Sequence, residues 1–283
     1  MSTAALHADH TRRFETNRFV YPVISRRAGG LSIGVNLNPD KVCNFDCIYC
    51  QVDRTLPGET RFVELERLLA ELDDMLELAT SGRLFQHEKF WDVEAAQRRL
   101  HDIAFSGDGE PTTYRNFAEI VEACAAVKRR RGLDHVQLIV LTNASMLHRP
   151  HVRRGLAILD ANQGEIWAKL DAGTEEYFRR VARTTSPLSR ILENITETAR
   201  TREVVIQSLF MRLDGQPPPA PELEAYCQRL RDVAAAGGRL RLVQVYTVAR
   251  RPAESCVTPL SEPEVAAIAE LVRNRTGLPA TAY

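Results

Sequence analysis

The chain has 283 residues, 37 of them Lys or Arg and 37 Asp or Glu, with 44% hydrophobic and 26% charged side chains. That length suits one α/β barrel domain and that composition a globular protein, while the zero net charge excludes a general attraction to nucleic acid or to an anionic membrane. No segment reaches the eighteen or so consecutive apolar residues of a membrane span, and the opening MSTAALHADHTRRFETNR lacks the apolar core of a secretory signal, so no membrane partner and a cytoplasmic location are expected.

Residues 1–23 read as an irregular N-terminal arm. From there the periodicity switches repeatedly between strand and helix. LSIGVNL (31–37) reads as a strand and FVELERLLAELDDMLE (62–77) as an amphipathic helix, followed by a charged helical insertion at 81–100. DIAFSGDG (102–109) and NFAEIVEACAAVKRRR (116–131) form the second strand–helix unit. VQLIVLTN (136–143) with a helix near 149–159 forms the third, and EIWAKLDA (165–172) with helical stretches over 174–200 the fourth. EVVIQSLFM (203–211) is the fifth strand; its helix lies between the Pro-rich loop near 217–221 and Gly237–Gly238. LRLVQVYTV (240–248) is the sixth strand, and Ser261 with Glu264 forms a capping box for the last helix. Six β/α units in one domain predict an α/β fold: a partial (β/α)6 TIM-type barrel over 24–276, with a parallel sheet, outer helices and functional residues at the C-terminal strand ends.

Three of the six cysteines, Cys43, Cys47 and Cys50, sit on the loop after the first strand. Three thiolates so spaced suit three irons of a [4Fe–4S] cluster, leaving the fourth iron open. A structural zinc site is the alternative, but it wants a fourth ligand, and no cysteine or histidine lies between Val52 and Gln86. Cys124 and Cys227 fall in helices and read as small buried apolar residues, whereas Cys256 lies in a loop after the sixth strand.

Other strand ends carry polar groups. Ser106, Gly107, Asp108, Gly109 and Glu110 form a turn whose glycines allow close approach of a ligand. Strand three ends in Thr142-Asn143. Strand-four parity puts Trp167, Lys169 and Asp171 on the lumen face, where a lysine and an aspartate are either an ion pair or functional. Gln207, Gln244 and Tyr246 read as substrate contacts or as hydrogen-bonded barrel filling.

CNFDCIYC together with SGDGEPT and the strand pattern resembles the radical S-adenosylmethionine superfamily from about Ile24 to Thr276. The resemblance implies a [4Fe–4S] cluster on Cys43, Cys47 and Cys50 and reductive cleavage of S-adenosylmethionine to a 5′-deoxyadenosyl radical. It also implies a one-electron donor of flavodoxin or ferredoxin type. In that superfamily the residue at Tyr49 lies near the adenine, the SGDGEPT turn near the methionyl amine, and the residues at Asn143 and Asp171 near the nucleoside. SRRAGGLSIGVNLNP and VQVYTVARRPAES further resemble the branch of wyosine-base-forming tRNA enzymes, which makes tRNA a candidate partner, although the charge balance lacks a basic excess. Within that resemblance Lys169 is the candidate catalytic residue, as a cation, a proton donor or an amine for a carbonyl substrate. A peptide-modifying radical enzyme and a non-catalytic zinc or iron–sulfur sensor are the other readings.

Overall fold

The computed structural model describes residues 14–54, 58 and 62–283; the first thirteen residues of the expected N-terminal arm lie outside them. The chain divides into two compact units, one of residues 1–43, 54–141 and 150–165, the other of 44–53, 142–149 and 166–283.

The first unit is built on β1 (Val20–Ser25), β2 (Gly30–Val35), β3 (Leu100–Phe105) and β4 (Gln137–Thr142). β2, β3 and β4 run parallel, and β1 pairs antiparallel with β2, Val20 opposite Val35 and Ser25 opposite Gly30. Every residue of β2 is buried, Ser32 included, as in a strand covered on both faces. Helices α1 (Leu65–Thr80), α2 (Phe117–Arg130) and α3 (Pro150–Asp160) complete the unit. On α1 the buried residues Leu68, Leu72, Met75, Leu76 and Ala79 form one stripe at helical spacing.

β1 falls partly in the segment read from sequence as an irregular arm. Pro22 sits inside it, which is tolerated because β1 is bonded only to β2 within this unit. Its start is anchored by a buried carboxylate: Glu71 of α1 accepts the backbone N–H groups of Arg18, Phe19 and Val20 at 2.8–3.2 Å. Those N–H groups and the Arg67 guanidinium, 2.9 Å away, offset the cost of burying the carboxylate. The expected helical insertion at 81–100 is a correction. It forms two short 3₁₀ turns, Arg83–Gln86 and Ala95–Gln97, before β3, with Leu84, Phe85, Phe90 and Val93 buried. Four apolar residues at irregular spacing cannot make one helix face, so the segment folds as a compact loop.

The second unit carries β5 (Gly164–Lys169), β6 (Glu203–Leu209), β8 (Arg239–Tyr246) and β10 (Ala280–Ala282), bonded in that order and all parallel. Helices α4 (Glu175–Ala182), α5 (Leu188–Thr201), α6 (Ala220–Ala235) and α7 (Glu262–Thr276) lie between and after them. A break at Arg183, in the left-handed region at φ 45°, separates α4 from α5, the two helical stretches expected over 174–200. Strands β7 (Arg212–Leu213) and β9 (Val257–Thr258) form a small antiparallel pair that periodicity could not show, since two residues carry no period. The capping box of Ser261 and Glu264 is formed, with Gly277 closing α7 at φ 72°. The α/β class with mostly parallel strands and flanking helices is therefore as expected.

Candidate functional site

The cysteine loop is held from both sides within the second unit. The Asp46 and Ile48 N–H groups donate to the carbonyls of Ala182 and Val181 at the end of α4, at 3.2 and 3.0 Å. On the other side the Ala253 and Glu254 N–H groups donate to the carbonyls of Cys50 and Ile48, at 2.8 and 3.1 Å. Arg183 links the two flanks, 2.6 Å from Glu254 and 3.7 Å from Asp46. Cys43, Cys47 and Cys50 are all free thiols and half-buried. Burial pushes the Cys47 thiol up to about 12 against the opposing pull of Tyr49 and Lys169. Among the described residues no three Cys, His, Asp or Glu side chains form a ready-made metal site.

Beside this loop four of the candidate residues meet. Tyr49 donates its hydroxyl to Asp171 in a very short hydrogen bond. Asp171 also accepts the Leu209 N–H at 2.7 Å and pairs with the Lys169 ammonium at 3.3 Å. Lys169 in turn donates to the Tyr246 hydroxyl at 2.9 Å, with its nitrogen 5.1 Å from the centre of the Tyr49 ring and 5.4 Å from that of Tyr246. Burial pushes the ammonium down, but Asp171 and Tyr246 outweigh it and hold Lys169 above its ordinary value. Tyr49 is raised by burial and by the Asp171 charge. Lys169 is therefore a cation and Tyr49 a neutral phenol at neutral pH.

In register, Lys169 of β5 stands opposite Gln207 of β6, and Gln207 opposite Gln244 of β8. The Gln207 amide donates to Gln244 at 2.9 Å, and both are buried. These two glutamines thus fill the row beside Lys169 with a bonded amide pair. Asn143, after β4, donates to Asn44 of the cysteine loop at 2.8 Å, and Asn44 donates to Ser145 at 2.7 Å. Asn194 of α5 fastens the same turn through the carbonyls of Ala144 and Ser145.

The turn Ser106–Glu110 belongs to the first unit, and its organiser is a residue that spacing did not flag. Asn36, buried just after β2, accepts the Asp108 N–H at 3.1 Å and donates to the Asp108 carboxylate at 2.7 Å. A Cβ added at Gly107 would lie 2.1 Å from the Asn36 side-chain oxygen, and one at Gly109 would lie 2.3 Å from the Val42 carbonyl. The glycines are thus required by the close approach of the protein's own segment 36–42. Ser106 bonds Tyr21 through its hydroxyl at 3.2 Å, and buried Glu110 accepts the Thr112 N–H and hydroxyl at 3.1 and 2.5 Å. Gly107→Val is accordingly expected to destabilise the cluster-free protein by about 1–3 kcal/mol through overpacking. Thermal unfolding without cosubstrate checks it; a wild-type midpoint would refute the overpacking.

Comparison with known proteins follows the same lines. Residues 37–216, well over half of the chain, match the family model described as the Radical SAM superfamily. A protein of Brachyspira hyodysenteriae named GTPase Obg is 24% identical over 172 residues, 60% of this chain but 21% of that one, so the match spans about a fifth of the relative. A UPF0026 protein of Helicobacter pylori strain J99 is 25% identical over 248 residues, 86% of this chain and 70% of the relative. Among solved structures, one described as "Structure of TYW1 with a lysine-pyruvate adduct bound" aligns with TM-score 0.46 and 16% identity, covering 87% of this chain and 74% of that one.

Proposed function

Because the chain belongs to the radical SAM superfamily, an enzyme family that uses a [4Fe–4S] cluster and S-adenosylmethionine, we propose that Cys43, Cys47 and Cys50 hold the cluster and that Lys169 and its neighbours receive the substrate. The donor set fits. Three half-buried thiols free of disulfides lie on one loop, and soft thiolates are the ligands iron–sulfur clusters take. When bound, the cluster supplies the one-electron reduction that breaks the sulfonium C–S bond and begins hydrogen abstraction from a substrate.

The observation that carries this reading is the network of Tyr49, Asp171, Lys169 and Tyr246 against the cysteine loop. Asp171 fixes the Tyr49 ring, two residues past Cys47, where the superfamily places the adenine. Glu110 and the backbone of Gly107, Asp108 and Gly109, held in shape by Asn36, form the proposed seat of the methionyl amine. Asn143 donates to Asn44 of the cysteine loop and is the residue proposed for the nucleoside side. Lys169 presents positive charge between two phenol rings, and Gln207, Gln244 and Tyr246 complete the proposed substrate wall.

The substrate is unidentified. Relation to wyosine-type tRNA modification stays within the proposal, and the equal numbers of basic and acidic side chains do not favour tRNA. A one-electron donor of flavodoxin or ferredoxin type and a reducing, cytoplasmic setting suit three exposed-loop thiols that must remain unpaired. No helix of the described residues is long and apolar enough to cross a membrane.

Anaerobic reconstitution tests the assignment. Iron and sulfide should reach ~4 of each per chain, and replacing Cys43, Cys47 or Cys50 with alanine should abolish both the cluster and cleavage of S-adenosylmethionine. Stoichiometric zinc without iron, or ~8 irons per chain, would overturn it.

A further inference from the structure

We propose that Glu222 of α6 is a positioning residue for the radical chemistry, holding the turn after β5 so that Asp171 meets Tyr49 and Lys169. The inference rests on the assignment of Asp171 and Tyr49 to the cosubstrate side made above.

Glu222 is a buried carboxylate, 5% exposed, and its oxygens are spent on one turn. One oxygen accepts the Gly173 N–H at 2.5 Å and the Thr174 N–H at 3.3 Å, and the other accepts the Thr174 hydroxyl at 2.5 Å. Thr174 simultaneously caps α4 by accepting the Tyr177 N–H at 3.2 Å. A carboxylate in the first turn of α6 would help the helix dipole equally well from the surface. Burying it is costly, and the three donors of residues 173–174 are what offset that cost.

The rest of α6 grips the same turn. A Cβ at Gly173 would stand 2.0 Å from the Tyr226 nitrogen, so the turn can approach the helix only as glycine. The Tyr226 hydroxyl meets that of Ser208 at 2.5 Å, and Ser208 donates to the Leu170 carbonyl at 2.6 Å. Leu170 and Gly173 bracket Asp171. Its carboxylate is thereby placed between the Leu209 N–H, the Tyr49 hydroxyl and the Lys169 ammonium. Glu222 touches none of these partners and acts on them only through the turn.

The first unit supplies a control of the same chemistry. Glu71 is likewise a buried carboxylate clamping backbone N–H groups, but its partners are residues 18–20 at the start of β1 together with Arg67 at 2.9 Å. Binding of labelled S-adenosylmethionine by equilibrium dialysis to reconstituted Glu222→Gln, Glu71→Gln, Asp171→Asn and the Glu222→Gln/Asp171→Asn double variant separates the roles. Glutamine keeps the volume and one acceptor, so folded protein is expected, and melting temperature and iron content identify any variant that is merely unstable. Both glutamate variants should melt earlier. Only Glu222→Gln should weaken binding, by about tenfold, and the double variant should bind no worse than Asp171→Asn alone, because the two act in series. Losses that multiply in the double variant, or wild-type affinity in Glu222→Gln, would overturn the positioning role while leaving the site assignment standing. Wild-type affinity in Asp171→Asn would instead remove the site assignment and this inference with it.

Discussion

Lys169→Met is expected to leave a folded, cluster-bearing protein that still cleaves S-adenosylmethionine but has lost conversion of its substrate by about 10²-fold or more. The fold should survive because Asp171 is not left bare: the Tyr49 hydroxyl and the Leu209 N–H still donate to it. Breaking a buried pair that has no other donors costs about 3–5 kcal/mol. With two donors remaining and Lys169 itself 24% exposed, about 1–2 kcal/mol is the expected loss. Lys169→Arg distinguishes the roles a lysine could have. Asp171 and Tyr246 hold this side chain as a cation, so under the proposed assignment charge is what it would offer a substrate. Arginine should then recover part of the conversion, and borohydride with a labelled keto acid should trap little adduct at neutral pH. A dead arginine variant with efficient trapping in the wild type would show that the amine is the working form. A collapse of melting temperature with loss of iron in Lys169→Met would make the lysine a piece of the fold. Conversion is read as transfer of isotope label from S-adenosylmethionine into cell-extract components, alongside deoxyadenosine release.

Asp102→Asn is expected to stabilise the protein at pH 8 and to flatten its stability profile between about pH 4 and 7. Asp102 is buried in β3, where it accepts the Ser32 hydroxyl at 2.5 Å. Burial raises its carboxyl from 3.8 to about 7; Ser32 opposes the rise, Glu165 adds to it and Arg27 opposes it. His101 beside it in sequence is lowered by burial and by Arg99, so it brings no compensating cation near neutrality. Gln137, opposite Asp102 in register, is turned to Glu165 at 2.6 Å. The folded protein therefore binds the Asp102 proton more tightly than the unfolded chain. Stability is greatest below the unfolded value and falls as pH rises toward about 7, by up to about 4 kcal/mol. Asparagine keeps the acceptor for Ser32 and removes the titration, so a gain of about 1–3 kcal/mol at pH 8 should disappear near pH 4. Denaturant unfolding of the cluster-free protein at the two pH values measures it, and parallel pH profiles for wild type and variant would refute it.

The parts of this site that were legible in the sequence are those encoded by short periods. The period of two along β5 placed Lys169 and Asp171 on one face, and they are indeed paired. The same period in β6 and β8 marked Gln207 and Gln244, which stand in one row with Lys169. The cysteine spacing and the capping box at Ser261 are equally local. Asn36 and Glu222 were silent because their partners are 72 and 49 residues away, and a side chain bonded to distant backbone leaves no spacing to read. The strand β1 was hidden by Pro22, and the close contact of Gly107 with Asn36 joins residues too far apart in sequence for any spacing to show it.

The bracing of the cysteine loop bears on how such a protein is made. Many small metal-binding modules are unstructured until their ion arrives, so that loading and folding are one event. Here the backbone from Asp46 to Cys50 is bonded to the end of α4 on one flank and to Ala253 and Glu254 on the other, with Arg183 joining the flanks, and none of those bonds involves a thiol. Cys47 and Cys50, two of the three thiols proposed to hold the cluster, therefore stand on a frame built without any thiol bond. Under the proposed assignment folding and cluster loading are separable events, and a protein stripped of its cluster keeps the frame needed for reloading.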